Sequence, residues 1–579
     1  MVVAAVLAAG CGGSKPPLSF ADLTQEFVQG TLALSPVGAS VAGYHRHGET
    51  LLDERLDDYR PEAVEARLRH WRNWDKRLEE VQQATLDEQQ RADLQLMKNQ
   101  VKLARLQLEK ERSYTRNPSE YVEVLGQGLF TPYSVDYAPL PDRCRHLTAR
   151  LKAAPGFLSQ AKAQLKSAPG IWSQTAIRDA GGIRGLLEGP LASFCPAELQ
   201  NDFKAAAAEA RAALVEFEAF LAGLPDEGPD SWRMNPELYR EKFQLVMGAS
   251  PEEVLAEAEA ELRKTRRRMF DTALPLHTKH YPTHRDPVDL NLIVGEVLEV
   301  IARQRPTRER YFAEANAMLE EARAFVRAHQ ERLAPLPPRD NLKIIETPAF
   351  MRGFYSVGGF HPAPPLQPNQ GAFYWLTPFE PGESAASVES RLREYNNYGL
   401  RILTLHEAIP GHYLQFEYAA GIQPEARRVL RSLFGSGVYI EGWAVYSNAV
   451  MLREGYLNRD PALQLTFDKQ MLRVIANAIL DIRFHQGKLS DEEALELMRK
   501  QTFQEEREAA NKLVRAKLSS TQLPTYFVGY RAWENLRAEA EKRAGAGFSP
   551  RTFHTRALEA GALPMPTLRA LLLEDGAAR

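Results

Sequence analysis

A chain of 579 residues can enclose several hydrophobic cores or one large helical body, so length alone leaves the number of domains open. Its 72 Lys and Arg balance 75 Asp and Glu to a formal charge of -3, and no basic block stands out, which argues against nucleic acid as a partner. The composition, 44% hydrophobic and 25% charged, is that of an ordinary folded protein.

The chain begins with an apolar run over residues 2–9, too short to span a bilayer but suited to the core of a signal peptide. The run ends in Leu7-Ala8-Ala9-Gly10-Cys11 and a Gly/Ser/Pro tether, which resembles the lipobox of a bacterial lipoprotein. That resemblance implies lipidation at Cys11, a signal and tether over residues 1–19, and a periplasm-facing protein of the cell envelope that meets the membrane only through its lipid anchor. Two features depart from the pattern: no Lys or Arg precedes the run, and Leu7 lies four residues before Cys11 where three is usual. The alternative is a buried apolar segment of a cytoplasmic protein. Only Cys144 and Cys195 remain, too few for a disulfide framework or a cysteine zinc site, so they leave the compartment undecided.

Most of the rest reads as helix. Residues 60–111 and 197–224 alternate charged and apolar positions at helical spacing. The clearest helix starts at Ser250, which can cap it, with Pro251 in the first turn and Glu253 completing a capping box. Further helical patterns cover 290–303, 308–332, 387–419, 439–454, 463–485, 491–518, 526–544 and 552–560. With no fixed-period repeat, the expectation is a mainly α fold. It would comprise an N-terminal helical part over 20–345 and a catalytic part over 346–579, built as one continuous unit. Residues 351–380 break the pattern with Gly, Pro and aromatics, and "GAFYWL" within them, including Phe373, favours a short strand. Such a strand could hold an extended peptide along its edge. His361 in the same segment is a candidate cleft residue or a solvated loop histidine.

The stretch "LTLHEAIPGHYLQ", residues 403–415, carries two histidines six positions apart. In H-E-x-x-H they stand four apart, so both rings meet one ion while the glutamate beside the first polarises a water. Six positions amount to about 240° of net rotation on a regular helix, which points His406 and His412 to separate faces. The insert, however, contains Pro410 and Gly411. Proline removes the N–H that would bond the His406 carbonyl, and glycine admits backbone angles closed to other residues. The helix is therefore expected to bulge or break between Glu407 and Gly411, returning His412 to the place of the second ligand. Catalytic zinc usually takes a third protein ligand. Glu441, in "VYIEGWAVYSN", stands 29 residues later among apolar neighbours, far enough for an antiparallel helix to return. Ala444 and Asn448 share its face, leaving room for close backbone approach and a supporting hydrogen bond.

"LHEAIPGHYLQ" followed by "YIEGWAVY" resembles the bacterial domain-of-unknown-function family eight-eight-five, as do "DIRFHQGKLSDEEA", "YFVGY" with Gln522 ahead of it, and "FHTRALEAGALPMPTL". The family looks like a distant branch of the zincin metallopeptidases, similar in its helical fold to thimet oligopeptidase, angiotensin-converting enzyme and carboxypeptidase Taq. The resemblance implies one Zn²⁺ held by His406, His412 and Glu441, with Glu407 as catalytic carboxylate. It further implies an oxyanion donor far along the chain, for which Tyr526 is the first choice and Tyr530 and His485 are rivals. Arg515 could bind a substrate carboxylate or form a structural salt bridge. Ser447 and Asn448 stand where the family usually has a carboxylate, which bears on the support of the ligands and on specificity. The expected activity is hydrolysis of oligopeptides, against which stand hydrolysis of another amide or ester, and a lipid-anchored binding protein with a vestigial site.

Overall fold

The structure is a computed structural model that describes residues 19–284, 289–352 and 355–573; Cys11 lies outside them. The fold is mainly α, as expected, with only two small sheets among the described residues. No helix there is long and apolar enough to cross a membrane.

Local signals in the sequence set many helix ends. Ser250 accepts from the Glu253 N–H at 3.2 Å and the Glu253 carboxylate accepts from the Ser250 N–H at 3.0 Å, the reciprocal cap that starts the Pro251–His280 helix. The stretch 60–111 is two helices, Pro61–Glu79 and Glu88–Leu106, the second restarted by a capping box between Asp87 and Gln90. The stretch 387–419 is three: Ala385–Glu394, Asn397–Glu407 and His412–Ala419.

Two large apolar clusters organise the body. One joins Phe27, Trp71 and Trp74 near the N-terminus to Trp443, Trp533 and Leu568, so the helices of the first and last thirds share a core. The other fills the space between the helices Pro118–Ser134, Leu140–Gln164, Gly170–Glu188 and Gln200–Ala222.

Within the second cluster Cys144 and Cys195 form a disulfide, with Cα atoms 5.4 Å apart. This single pairing was not anticipated from the sequence, although two cysteines still make no disulfide framework. They stand 51 residues apart, and only the packing of Leu140–Gln164 against Gln200–Ala222 brings them together. Closing a loop of that length restricts the unfolded chain, so Cys144→Ser/Cys195→Ser is expected to lose about 2–4 kcal/mol in denaturant titrations. Reductant should lower the wild-type stability alike and leave the double variant unchanged.

The strand expected at "GAFYWL" is Ala372–Leu376, but it is the centre of a three-stranded sheet. Leu342–Glu346 pairs parallel on one side and Gly358–His361 antiparallel on the other. Both of its edges are taken, so the expected augmentation along it cannot occur. Among the described residues the two outer strands, Leu342–Glu346 and Gly358–His361, each keep one unpaired edge. Strand alternation also overturns the cleft placement of two residues. Phe373 and Trp375 face the second apolar cluster, and His361, opposite Phe373, stacks on Trp375 at 4.8 Å. Burial holds the His361 imidazolium down at about 4. Phe360 turns the other way and lies against His412.

Candidate metal centre

The Asn397–Glu407 helix ends where Pro410 and Gly411 require it to. Ala408 leaves helical angles (φ -114°, ψ -95°), the Gly411 N–H reaches back to the Leu405 carbonyl at 2.9 Å, and a new helix starts at His412. A Cβ at position 411 would collide with the carbonyl oxygens of Leu405 and His406, so the glycine is sterically required. Trp443 Nε1 donates to the carbonyls of Pro410 at 2.9 Å and Gly411 at 3.2 Å, pinning the break from the neighbouring Gly437–Arg453 helix.

The break swings the two imidazoles together, with ring centroids 4.8 Å apart and planes at 83°. Glu441 completes the set: its Oε2 lies 3.5 Å from His406 Nε2 and 3.4 Å from His412 Nε2. That oxygen is buried and accepts no hydrogen bond. A buried carboxylate oxygen is costly unless its charge is met, and here only the two imidazole nitrogens approach it, an arrangement that could hold a cation among the three groups. Tetrahedral ligands about 2.0–2.1 Å from one zinc ion stand about 3.3–3.4 Å from each other, and the observed spacings fit that shell. Burial pushes the Glu441 carboxyl up, but the two imidazoles outweigh it and hold it well below the carboxylate range. A second cluster, His277, His284 and Glu296, differs in kind. There Glu296 pairs with His277 Nε2 at 2.6 Å and His284 Nδ1 at 3.2 Å, hydrogen bonds that already satisfy the carboxylate.

Two glycines bring Glu441 and Tyr526 alongside one another. Gly442, next to Glu441, meets Gly529 of the Pro524–Ala544 helix so closely that a Cβ on Gly442 would stand 2.5 Å from the Gly529 carbonyl carbon. The close approach expected at Ala444 is made at Gly442 instead. Asn448 Nδ2 bonds the Ile402 carbonyl at 3.3 Å, tying the two ligand helices together one turn before His406 without touching a ligand.

Glu407, His406, His412 and Glu441 line one cleft of about 1170 Å³ with Tyr526 and Arg515. Burial pushes the Glu407 carboxyl up to about 7, with His406 pulling down and Glu441 adding to the rise. The Tyr526 ring stacks beside His406 at 6.2 Å, and its hydroxyl lies 3.4 Å from Gln522 Nε2. Burial and then the Glu441 charge raise its pKa far above that of a free tyrosine, so Oη keeps its proton. Arg515 bonds Ser519 Oγ at 2.9 Å and Gln522 Oε1 at 3.1 Å.

The rivals to Tyr526 fall outside the cleft lining. Tyr530 lies one turn on, beside the charges of Glu534, Arg268 and Arg453. His485 is buried behind the wall: Nδ1 accepts from the Met234 N–H at 3.0 Å and the ring stacks on Tyr239 at 4.8 Å. With Asp481, which accepts from the Thr521 N–H at 3.1 Å, it backs the turn that presents Gln522. Arg473, Glu508 and Lys512 also line the cleft and were missed from sequence. For Glu508 and Lys512 the only signal was the helical spacing 508, 512, 515, which does not tell which face turns inward, and Arg473, on the Pro461–His485 helix, lacked even that.

The model of a family described as "Bacterial protein of unknown function (DUF885)" matches residues 36–572. Two solved structures are similar, each described as a "putative lipoprotein". One, from Shewanella oneidensis, is 28% identical with a TM-score of 0.77, over 96% of this chain and 100% of its own. The other, from Colwellia psychrerythraea, is 17% identical with a TM-score of 0.77, over 96% of this chain and 98% of its own, a likeness of fold alone. Among curated proteins no relative matches. Matched along nearly its whole length, the chain belongs to the bacterial DUF885 family.

Proposed function

We propose that this protein is a zinc-dependent peptidase that hydrolyses oligopeptides in the cleft. The observation that carries the reading is Glu441 Oε2, buried without a hydrogen bond and facing two imidazole nitrogens at 3.4–3.5 Å, beside a second buried carboxyl, Glu407. His406 Nε2, His412 Nε2 and Glu441 Oε2 would hold the ion. A zinc ion so held supplies a polarised water and an electrophile for the scissile carbonyl.

The chain's own residues do the rest. Glu407 takes the proton of the attacking water on its carboxylate and delivers it to the leaving nitrogen. Tyr526 Oη–H donates to the oxyanion that develops on the carbonyl oxygen. The open edge of Gly358–His361, whose residues 358–360 line the cleft, offers backbone groups to an extended peptide. The cleft exceeds the ~300–1000 Å³ of a small-molecule pocket, which favours an oligopeptide over a small ester or amide. An intact Glu407 weighs against a vestigial site, because a binding protein has no use for the base.

The same reading locates the protein in the cell envelope, anchored by lipid at Cys11 and facing the periplasm. The Cys144–Cys195 disulfide suits an oxidising compartment, and both similar structures carry the lipoprotein description.

The test is hydrolysis of a mixed oligopeptide library by the purified chain, abolished by chelator and restored by zinc. Cleavage of esters or amidated sugars with no peptide cleaved would favour the other hydrolase class. Tyr526→Phe is expected to lower kcat about 10²–10³-fold with KM little changed, since the hydroxyl acts only on the developing charge. An equal fall in affinity for the intact peptide would assign it to ground-state binding.

A further inference from the structure

Resting on the peptidase reading, we propose that Lys512 is the recognition point for the free C-terminal carboxylate of the peptide, which makes the protein an exopeptidase acting from the C-terminal end. Glu508, Lys512 and Arg515 stand at positions i, i+4 and i+7 of the Glu506–Lys517 helix, and all three line the cleft that holds the metal ligands.

The fates of the neighbouring charges differ. Arg473, from the Pro461–His485 helix, pairs with Glu508 at 3.0 Å and donates to the Tyr395 hydroxyl at 2.7 Å. Lys469 pairs with Glu394 at 2.7 Å, and Arg393 pairs with Glu299 and Glu505. Arg515 is engaged with Ser519 and Gln522. Lys512, half-buried in the same wall, has no hydrogen bond or ion pair among the described residues. Its ammonium, partly open to the cleft, has no anion paired with it while two guanidiniums stand near, a like-charge grouping that an incoming anion relieves. Burial, then Arg473 and Arg515, drive its pKa well below the usual value, while Glu508 and Glu441 only partly offset them. A carboxylate entering the cleft supplies the missing charge.

Position selects which carboxylate. Arg515 bonds Gln522, whose amide lies beside the Tyr526 hydroxyl, and that ring stacks on His406. The cationic wall therefore adjoins the reaction centre, and a carboxylate held there leaves a short fragment between itself and the scissile bond. A chain terminus satisfies that geometry; the middle of a long chain has no carboxylate of its own to offer.

Binding and cleavage separate this inference from the reading beneath it. In zinc-loaded Glu407→Gln protein, an N-acetylated tetrapeptide of neutral side chains is titrated as the free acid, as its C-terminal amide, and as an amide carrying one Glu. The free acid should bind about 10- to 100-fold more tightly than the amide, the range for a charge-assisted hydrogen bond. Adding Lys512→Met should close that gap to about twofold, and Lys512→Arg should restore most of it. Equal binding of acid and amide while Lys512 is intact overturns the inference, as does a gap that survives Lys512→Met. An amide bearing Glu that matches the free acid overturns the terminal specificity. If the wild type selects the acid yet cleaves none of these peptides, the peptidase reading fails and the carboxylate site stands.

Discussion

Glu407→Gln is expected to take up one zinc ion per chain and to hydrolyse peptides about 10²–10⁴-fold more slowly than wild type. The substitution keeps the shape of the side chain and removes only its capacity to accept the water's proton. None of the three donor atoms that converge at 3.4–3.5 Å belongs to residue 407. The same variant should melt at or above the wild-type temperature. Glu407 is buried in a setting that penalises its ionised form, and a neutral amide escapes that penalty. His412→Ala should do the reverse: it removes one of three ligands, so zinc content falls to a trace after dialysis while Glu407 stays in place. Metal analysis, melting and peptide hydrolysis on the two variants separate base from ligand. A Glu407→Gln protein with wild-type turnover, or a His412→Ala protein with its full zinc content, would remove the basis of the mechanism.

The candidate metal site was legible in the sequence because the features that assemble it are local. The six-residue spacing of His406 and His412 makes sense only with a helix break, and Pro410 and Gly411 stand where one is needed. Glu441 could be picked out because a carboxylate between Tyr439, Ile440 and Trp443 needs a partner. Caps such as Ser250 and Glu253 are likewise written within four residues. What could not be read depends on residues far apart in the chain. Leu342–Glu346 and Gly358–His361 become strands through pairing with Ala372–Leu376. Which face of that central strand meets the cleft decides the fates of Phe373 and His361, and alternation alone cannot say which side is which. Cys144, in the Leu140–Gln164 helix, meets Cys195 in the segment that leads into the Gln200–Ala222 helix, 51 residues further on. Nothing in the sequence marks Lys512 as a residue that lines the cleft rather than one that faces away from it.

Gly529→Ala is expected to destabilise the protein by about 1–3 kcal/mol and to weaken zinc binding together with hydrolysis. A methyl group at 529 would meet the Val438 carbonyl oxygen and stand 2.6 Å from Gly442 Cα, backbone atoms that cannot rotate aside. The Gly437–Arg453 and Pro524–Ala544 helices must separate, and they carry Glu441 and Tyr526 with them. A displacement near 1 Å at a reacting group costs on the order of 10²-fold in rate. Gly442→Ala should act alike, because its own Cβ would fall against the Gly529 backbone. The double variant should cost less than the two single losses added together, since helices already parted by one methyl group have room for the second. Gly295→Ala serves as the control: this glycine lies inside the Leu290–Ala302 helix with no atom within 4 Å of a built Cβ. There alanine should raise stability by about 0.5–1 kcal/mol through the helix preference alone, leaving zinc binding untouched. Strict additivity of the two crossing variants, or full zinc affinity in Gly529→Ala, would show that Glu441 is held in place by something other than this contact between backbones.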